Sequence, residues 1–216
     1  MSCPLVLGLS ILCLGSFLPG SAVDIPSLVQ KASQGDALAA FQLGNTYSSG
    51  AQVKQDCAQA IAWYQKAAEW NNVDALTCLG RCYLNGICAE QNLATSLAYF
   101  SKAADKGDAD GQNNLAVSYM LGTGIAGDPA RAFPLFKNSA RQGWSEAQFN
   151  MGICYANGLG VAKDLGKARF WFAKGARRGP HGTESPAVAK RARKVLATPK
   201  SFKDWGFVRN WRDLGY

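Results

Sequence analysis

The sequence predicts an all-α chain, an α/α solenoid of four 36-residue helix-turn-helix repeats with an N-terminal half-repeat and a C-terminal capping helix. Gly44, Gly80 and Gly152, with Ala116 in the same register, recur at an offset of 36, and Tyr47, Tyr83, Tyr119 and Tyr155 follow them without a slip. The apolar positions inside each copy fall at i, i+4, i+7 and i+8, a spacing that puts them on one helical face. A helix pair of this kind cannot bury its stripe alone, so copies must stack.

The elements follow in order. Residues 1–22 read as a signal peptide: an apolar run from Pro4 to Leu18, short for a spanning helix, then Pro19-Gly20-Ser21-Ala22 with small residues before the cut. Residues 23–35 match the second helix of a unit and form a half-repeat cap, with Lys31-Ala32 in register with Ala67-Ala68. The repeats then occupy 36–71, 72–107, 108–143 and 144–179.

The first helix of each begins its stripe at Ala39, Ala75, Gly111 or Ala147, continues it at Leu43, Leu79, Leu115 or Met151, and stops at Gly50, Gly86, Gly122 or Gly158. A glycine there can take the left-handed conformation that ends a helix. Asp56, Asn92, Asp128 and Asp164 are N-caps of the second helix, whose side-chain oxygens can accept from its first free amides. Small residues at Ala39, Ala60 and Ala68 let the two helices approach, and Tyr47 with Trp63, then Tyr83 with Tyr99, fill the remaining volume. Residues 180–216 are a basic and aromatic cap and tail, in which Pro186 to Ala197 matches a first helix but carries Val188 and Arg191 where the register wants Gly and Tyr.

Composition narrows the function. The chain is 48% hydrophobic and 18% charged, which suits a packed core. Its net charge of +8 is concentrated: from Arg177 onward there are ten basic and three acidic residues, and the rest is nearly neutral. There is no Gly-x-Ser-x-Gly, Ser-x-x-Lys, phosphate-binding glycine loop or His-Glu-x-x-His, so nucleophilic, phosphate and zinc chemistry lack their usual geometry. His181, the single histidine, sits in a Gly-Pro-His-Gly turn with no second ligand beside it. No cofactor, metal or small-molecule substrate is expected, and the chain is not expected to be an enzyme.

Five cysteines remain once Cys3 and Cys13 leave with the signal peptide, so at least one thiol has no intrachain partner, and the four clustered ones allow three pairings. Cys82 and Cys154 fall in a small buried column shared with Thr46 and Ser118, and Cys154 is the candidate unpaired thiol. Cys57 and Cys88 stand off the shared pattern, and a disulfide between them would link neighbouring repeats.

The run Ala147-Gln148-Phe149-Asn150-Met151-Gly152-x-x-Tyr155-x-x-Gly158-x-Gly160-Val161-x-x-Asp164-x-x-Lys167-Ala168-x-x-Trp171-Phe172-x-x-Gly175-Ala176-x-x-Gly179 resembles a Sel-one-like repeat (SLR), a relative of the tetratricopeptide repeat. The resemblance spans Ala37 to Gly179. Repeat 3 departs from it at Ala116 and Pro134, and repeat 2 has Ile87-Cys88 in place of the Gly-Val turn. It implies a solenoid, wound as a right-handed superhelix, whose concave face binds protein partners, usually without catalysis. Some bacterial SLR proteins carry one disulfide in every repeat, and that regular pairing is missing here. Some cysteine-rich members are associated with weak penicillin binding or β-lactam hydrolysis, which is the competing, enzymatic expectation. Small periplasmic members include immunity proteins that neutralise phospholipase effectors injected by type VI secretion, which is the sharper one.

Helix geometry then nominates a partner surface. Asn45, Arg81, Val117 and Ile153 share one variable column on the first helices, and Ser48, Leu84, Met120 and Ala156 another. Phe41 and Phe149 are assigned to packing between repeats. Arg193 on the capping helix, and Trp205, Arg209 and Trp211 in the tail, add a cationic and aromatic element suited to an acidic protein surface. The expectation is a monomeric, periplasmic protein-binding module, with a lipase effector as the sharpest partner and a resident envelope protein as the alternative. Neither nucleic acid nor membrane contact is expected.

Overall fold

The computed structural model describes residues 24–50, 52–176 and 186–197. Among them are ten helices and no strand: α1 (Ile25–Ser33), α2 (Ala37–Ser49), α3 (Cys57–Glu69), α4 (Val73–Asn85), α5 (Leu93–Asp105), α6 (Ala109–Leu121), α7 (Pro129–Arg141), α8 (Ser145–Asn157), α9 (Leu165–Gly175) and α10 (Pro186–Ala197). The fold is the expected all-α repeat solenoid. The proposed signal peptide, His181, Trp205, Arg209 and Trp211 lie outside the described residues.

The chain divides into two compact units, to Asn92 and from Leu93. In the first, α1 packs on α2, α2 on α3 and α3 on α4; in the second, each helix from α5 to α10 packs on the next, and α10 also reaches α8.

Helix ends are set by the residues the register marks. Gly50, Gly86, Gly122 and Gly158 take φ between 67 and 74° and close α2, α4, α6 and α8, each donating its N–H to a carbonyl four residues back. Asp56, Asp128 and Asp164 accept the N3 amides of Gln59, Arg131 and Lys167 at 3.0, 3.0 and 2.9 Å. These bonds favour the carboxylate and hold Asp56 and Asp164 below the ordinary 3.8. The lowered value means the caps are intact at neutral pH and fade only as pH falls below 3.8. Asp36, Asn72 and Asp108, themselves spaced by 36, cap the first helices in the same manner. A second bond fixes each turn: the amides of Asp56, Asn92, Asp128 and Asp164 donate to the carbonyls of Tyr47, Tyr83, Tyr119 and Tyr155 at 2.8–3.0 Å. Pro134 stays inside α7 without ending it; the residue is exposed, so water can serve the carbonyl its ring leaves unpaired.

The volume inside each pair is filled by a different aromatic column from the one expected. Tyr64, Phe100, Phe136 and Phe172 are fully buried at an offset of 36, while Trp63, Tyr99 and Trp171 lie half-exposed beside them. The ammonium groups of Lys66, Lys102 and Lys174 sit over those outer rings at 4.5–5.8 Å. Gly44 and Gly152 exist for the inner column: a Cβ on Gly152 would lie 2.7 Å from the Phe172 ring, and one on Gly44 would collide with Tyr64. Phe41 and Phe149 pack on Tyr64 and Phe172 of their own repeats with ring centroids 5.9 and 5.1 Å apart, and Phe149 also shares a cluster with Ala192 of the capping helix, the expected contact beyond its repeat.

Seams in the second unit are partly polar. Ser139 donates to the Ala109 carbonyl at 2.6 Å, Gln142 to the Gly107 carbonyl and to Gln112 Oε1 at 3.0 Å each, and Asn150 Nδ2 to Asn113 Oδ1 at 3.0 Å. Both members of the Asn113–Asn150 pair are buried, and Asn150 Oδ1 has no protein partner among the described residues.

Candidate protein interface

The variable columns nominated for a partner serve the fold more than expected. Asn45 Oδ1 accepts from the Tyr64 hydroxyl at 2.8 Å, and Ser48 Oγ lies 3.1 Å from the same hydroxyl. Tyr64 is the polar exception in a column otherwise filled by phenylalanine, and burial pushes its hydroxyl up to about 12. Asn45 and Ser48 are therefore the polar lining that one buried hydroxyl requires. Where the inner residue is Phe, the same positions hold Arg81 with Leu84, Val117 with Met120, or Ile153 with Ala156, so none of them pairs an amide with a hydroxyl.

Ile153 corrects the expected surface. It is 2% exposed and belongs to a cluster with Phe149, Ala168, Phe172 and Ala192, because α10 covers this end of α8. Val117 and Met120 are half-buried against the cores of the second unit, and Arg81 is half-buried in the first. Arg193 is exposed on α10.

A double-mutant cycle separates the structural role of Asn45 from any contact role. Asn45→Val and Tyr64→Phe are each expected to cost about 1 kcal/mol in urea unfolding, with a coupling of similar size and no partner present. Additive costs would free Asn45 from this duty.

Two exposed apolar side chains stand out, Leu38 in a column the helix geometry turns outward and Phe170 in one it does not single out. Leu38 is 57% exposed where the other repeats have Asp74, Asp110 and Glu146, and Phe170 is 54% exposed where they have Ala62, Ala98 and Pro134. Comparing these outer columns across repeats would have marked both, because each is the one bulky apolar residue in its column.

Among the described cysteines, Cys57, Cys78 and Cys88 are disulfide-bonded. Cys57, the first residue of α3, and Cys88, in the turn after α4, are joined by a disulfide, with Cα atoms 4.5 Å apart. Cys88 has φ 61° and aligns with Gly124 and Gly160, so residues 88–89, not 87–88, stand in for the Gly-Val turn. Gly124 and Gly160 press on Leu93 and Pro129, the counterparts of Cys57, so the disulfide replaces a close backbone contact made elsewhere in the array. Cys82 and Cys154 are free and buried, and burial pushes their thiols up to about 11 and about 12. Their thiolate forms are scarce at neutral pH, so iodoacetamide is expected to leave both unlabelled in the native protein and to label both in urea. Labelling mapped by mass spectrometry checks this. Among the described residues no three His, Cys, Asp or Glu side chains gather as metal ligands.

Comparison with known proteins agrees with this geometry. The Sel1 repeat model matches residues 37–70, 73–108, 109–144 and 145–180. A protective antigen of uropathogenic Escherichia coli with an SLR fold is 32% identical over 82% of this chain, with a TM-score of 0.71, and the chain spans 41% of that protein's length. A Sel1 repeat protein from Oxalobacter formigenes is 29% identical over 88% of this chain and 72% of its own, with a TM-score of 0.72. An immunity protein from Pseudomonas aeruginosa is more distant, 21% identical over 69% of this chain and 71% of its own, and its TM-score of 0.41 lends no support to a shared function. No curated protein matches the chain. With four consecutive matches over about two-thirds of its length, and the helix pairs and buried columns those repeats require, the chain belongs to the Sel1 repeat family.

Proposed function

We propose that this protein is exported to the periplasm and binds one protein there, neutralising a phospholipase effector delivered by type VI secretion. Sel1 repeats generally mediate protein–protein interaction, and four of them make up most of the chain. That membership is the observation that carries the reading. The leader-like first 22 residues support export, and the absence of the usual hydrolase motifs from the sequence favours binding over catalysis. Leu38 and Phe170, exposed apolar side chains each in a column that differs between repeats, are among the side chains available for contact.

The test is affinity capture from an envelope extract with residues 23–216 as bait, followed by a lipase assay on any bound protein. A single lipase held one-to-one and inactivated on binding is the expected result. Several resident envelope proteins would instead make the chain a general scaffold, and nitrocefin turnover above a heat-treated control would make it an enzyme.

A further inference from the structure

α9 and α10 pack on each other and on α8. Together they contain seven basic residues and no acidic one. Burial sorts the two helices sharply. Ala168, Phe172 and Gly175 on α9, with Ala189 and Ala192 on α10, turn into the core, whereas Arg169, Phe170, Lys174, Lys190 and Arg193 are exposed.

Phe170 is the unexpected member. An exposed phenylalanine is not required by the repeat, which elsewhere has Ala or Pro at this position. Its ring meets Trp171 edge-on at 5.5 Å, and Lys174 Nζ stands 5.0 Å from the Phe170 centroid and 5.3 Å from that of Trp171. The ring is thus held in place before any partner arrives, which lowers the entropy lost on binding.

We propose that the outer face of α9 and α10 docks an acidic protein surface, with Phe170 as its apolar anchor and Arg169, Lys174, Lys190 and Arg193 as the cationic surround. This rests on the protein-binding reading above and names the chemistry of the partner's contact surface. Charge complementarity selects an acidic partner. The small apolar area selects a protein over a lipid bilayer: an interfacial helix needs a broad apolar face free for insertion, and the Ala189, Ala192 and Leu196 side of α10 is turned inward, with Ala192 and Leu196 in the cluster around Phe149 and Phe172. One preset aromatic with a lysine over its ring, and further exposed cations on the same two helices, is the composition of a protein contact.

The probes are a glutamate–tyrosine copolymer, polyglutamate and phosphatidylglycerol vesicles, titrated into the full chain at low salt. The copolymer is expected to bind, and the variant R169E/K174E/K190E/R193E to bind it about tenfold or more weakly. Phe170→Ala is expected to weaken the copolymer several-fold while leaving polyglutamate unchanged, since only the copolymer offers rings to the anchor. Circular dichroism melting confirms that both variants fold. Copolymer affinity that ignores either variant would overturn the proposal, as would vesicles binding more tightly than the copolymer. A captured lipase that holds the four-charge variant as tightly as the parent would remove this surface and leave the protein-binding reading standing. Copolymer binding without any captured lipase would do the reverse.

Discussion

Gly160→Ala is expected to destabilise the second unit by roughly 2–5 kcal/mol, a large share of what a domain of ordinary stability possesses. Two costs combine. Gly160 has φ 67°, where an L side chain costs about 1–2 kcal/mol. The new Cβ would also strike the Pro129 carbonyl at the start of α7 and lie 3.0 Å from Phe133 Cβ, and the backbone displacement this forces costs about 1–3 kcal/mol. Gly166→Ala is the matched control. Gly166 lies in the first turn of α9, exposed, and its Cβ would meet only Asp164 Oδ1 at 3.3 Å, so this variant is expected to be neutral or more stable by up to about 1 kcal/mol. Urea unfolding followed by circular dichroism compares the two, and equal midpoints would mean that Gly160 does not hold this seam.

Removing the Cys57–Cys88 disulfide is expected to have a similar effect in the first unit. Its cysteines are 31 residues apart, and opening the loop they close costs about 3–4 kcal/mol in the chain-entropy treatment. Cys57→Ala/Cys88→Ala should lower the unfolding midpoint, and dithiothreitol should lower that of the parent. Cys57→Ala/Cys88→Gly should recover about 1 kcal/mol of the loss, because glycine accepts the φ of 61° that alanine resists. Identical midpoints for the parent with and without reductant would show that the disulfide contributes nothing to the folded unit.

The repeat register carried the fold, because each column repeats one physical demand. A glycine had to end the first helix and an Asp or Asn had to cap the second, and at Gly50, Gly86, Gly122 and Gly158, and at Asp56, Asp128 and Asp164, both do so. The register also fixed the limits of α10, although Val188 and Arg191 break the pattern within it.

Packing direction was harder to read. Trp63 and Tyr64 are adjacent aromatics, and periodicity cannot decide which of them goes inside; the close approach that Gly44 permits decides for Tyr64. For the candidate interface, variability between repeats reads as a sign of contact with a partner. At Asn45 the variation instead tracks the presence of one buried hydroxyl, and at Ile153 it tracks burial beneath α10. Such dependencies join residues far apart in sequence, and a column-by-column reading has no access to them. Phe170 was legible in principle, since Ala62, Ala98 and Pro134 make it the odd member of its own column.

The buried Asn113–Asn150 bond has a consequence for how nearly identical units keep their order. Modules of one shape could in principle stack in the wrong sequence, or exchange with those of a neighbouring molecule. At the positions equivalent to Asn113 stand Phe41, Thr77 and Phe149, and at those equivalent to Asn150 stand Gln42, Cys78 and Asn114. Setting α8 against α2, or against a second α8, would present Asn150 with a phenylalanine ring and strand an amide away from water, at a cost of about 1–3 kcal/mol. The pair acts as an address label, weak as a source of stability and selective about which neighbour it accepts.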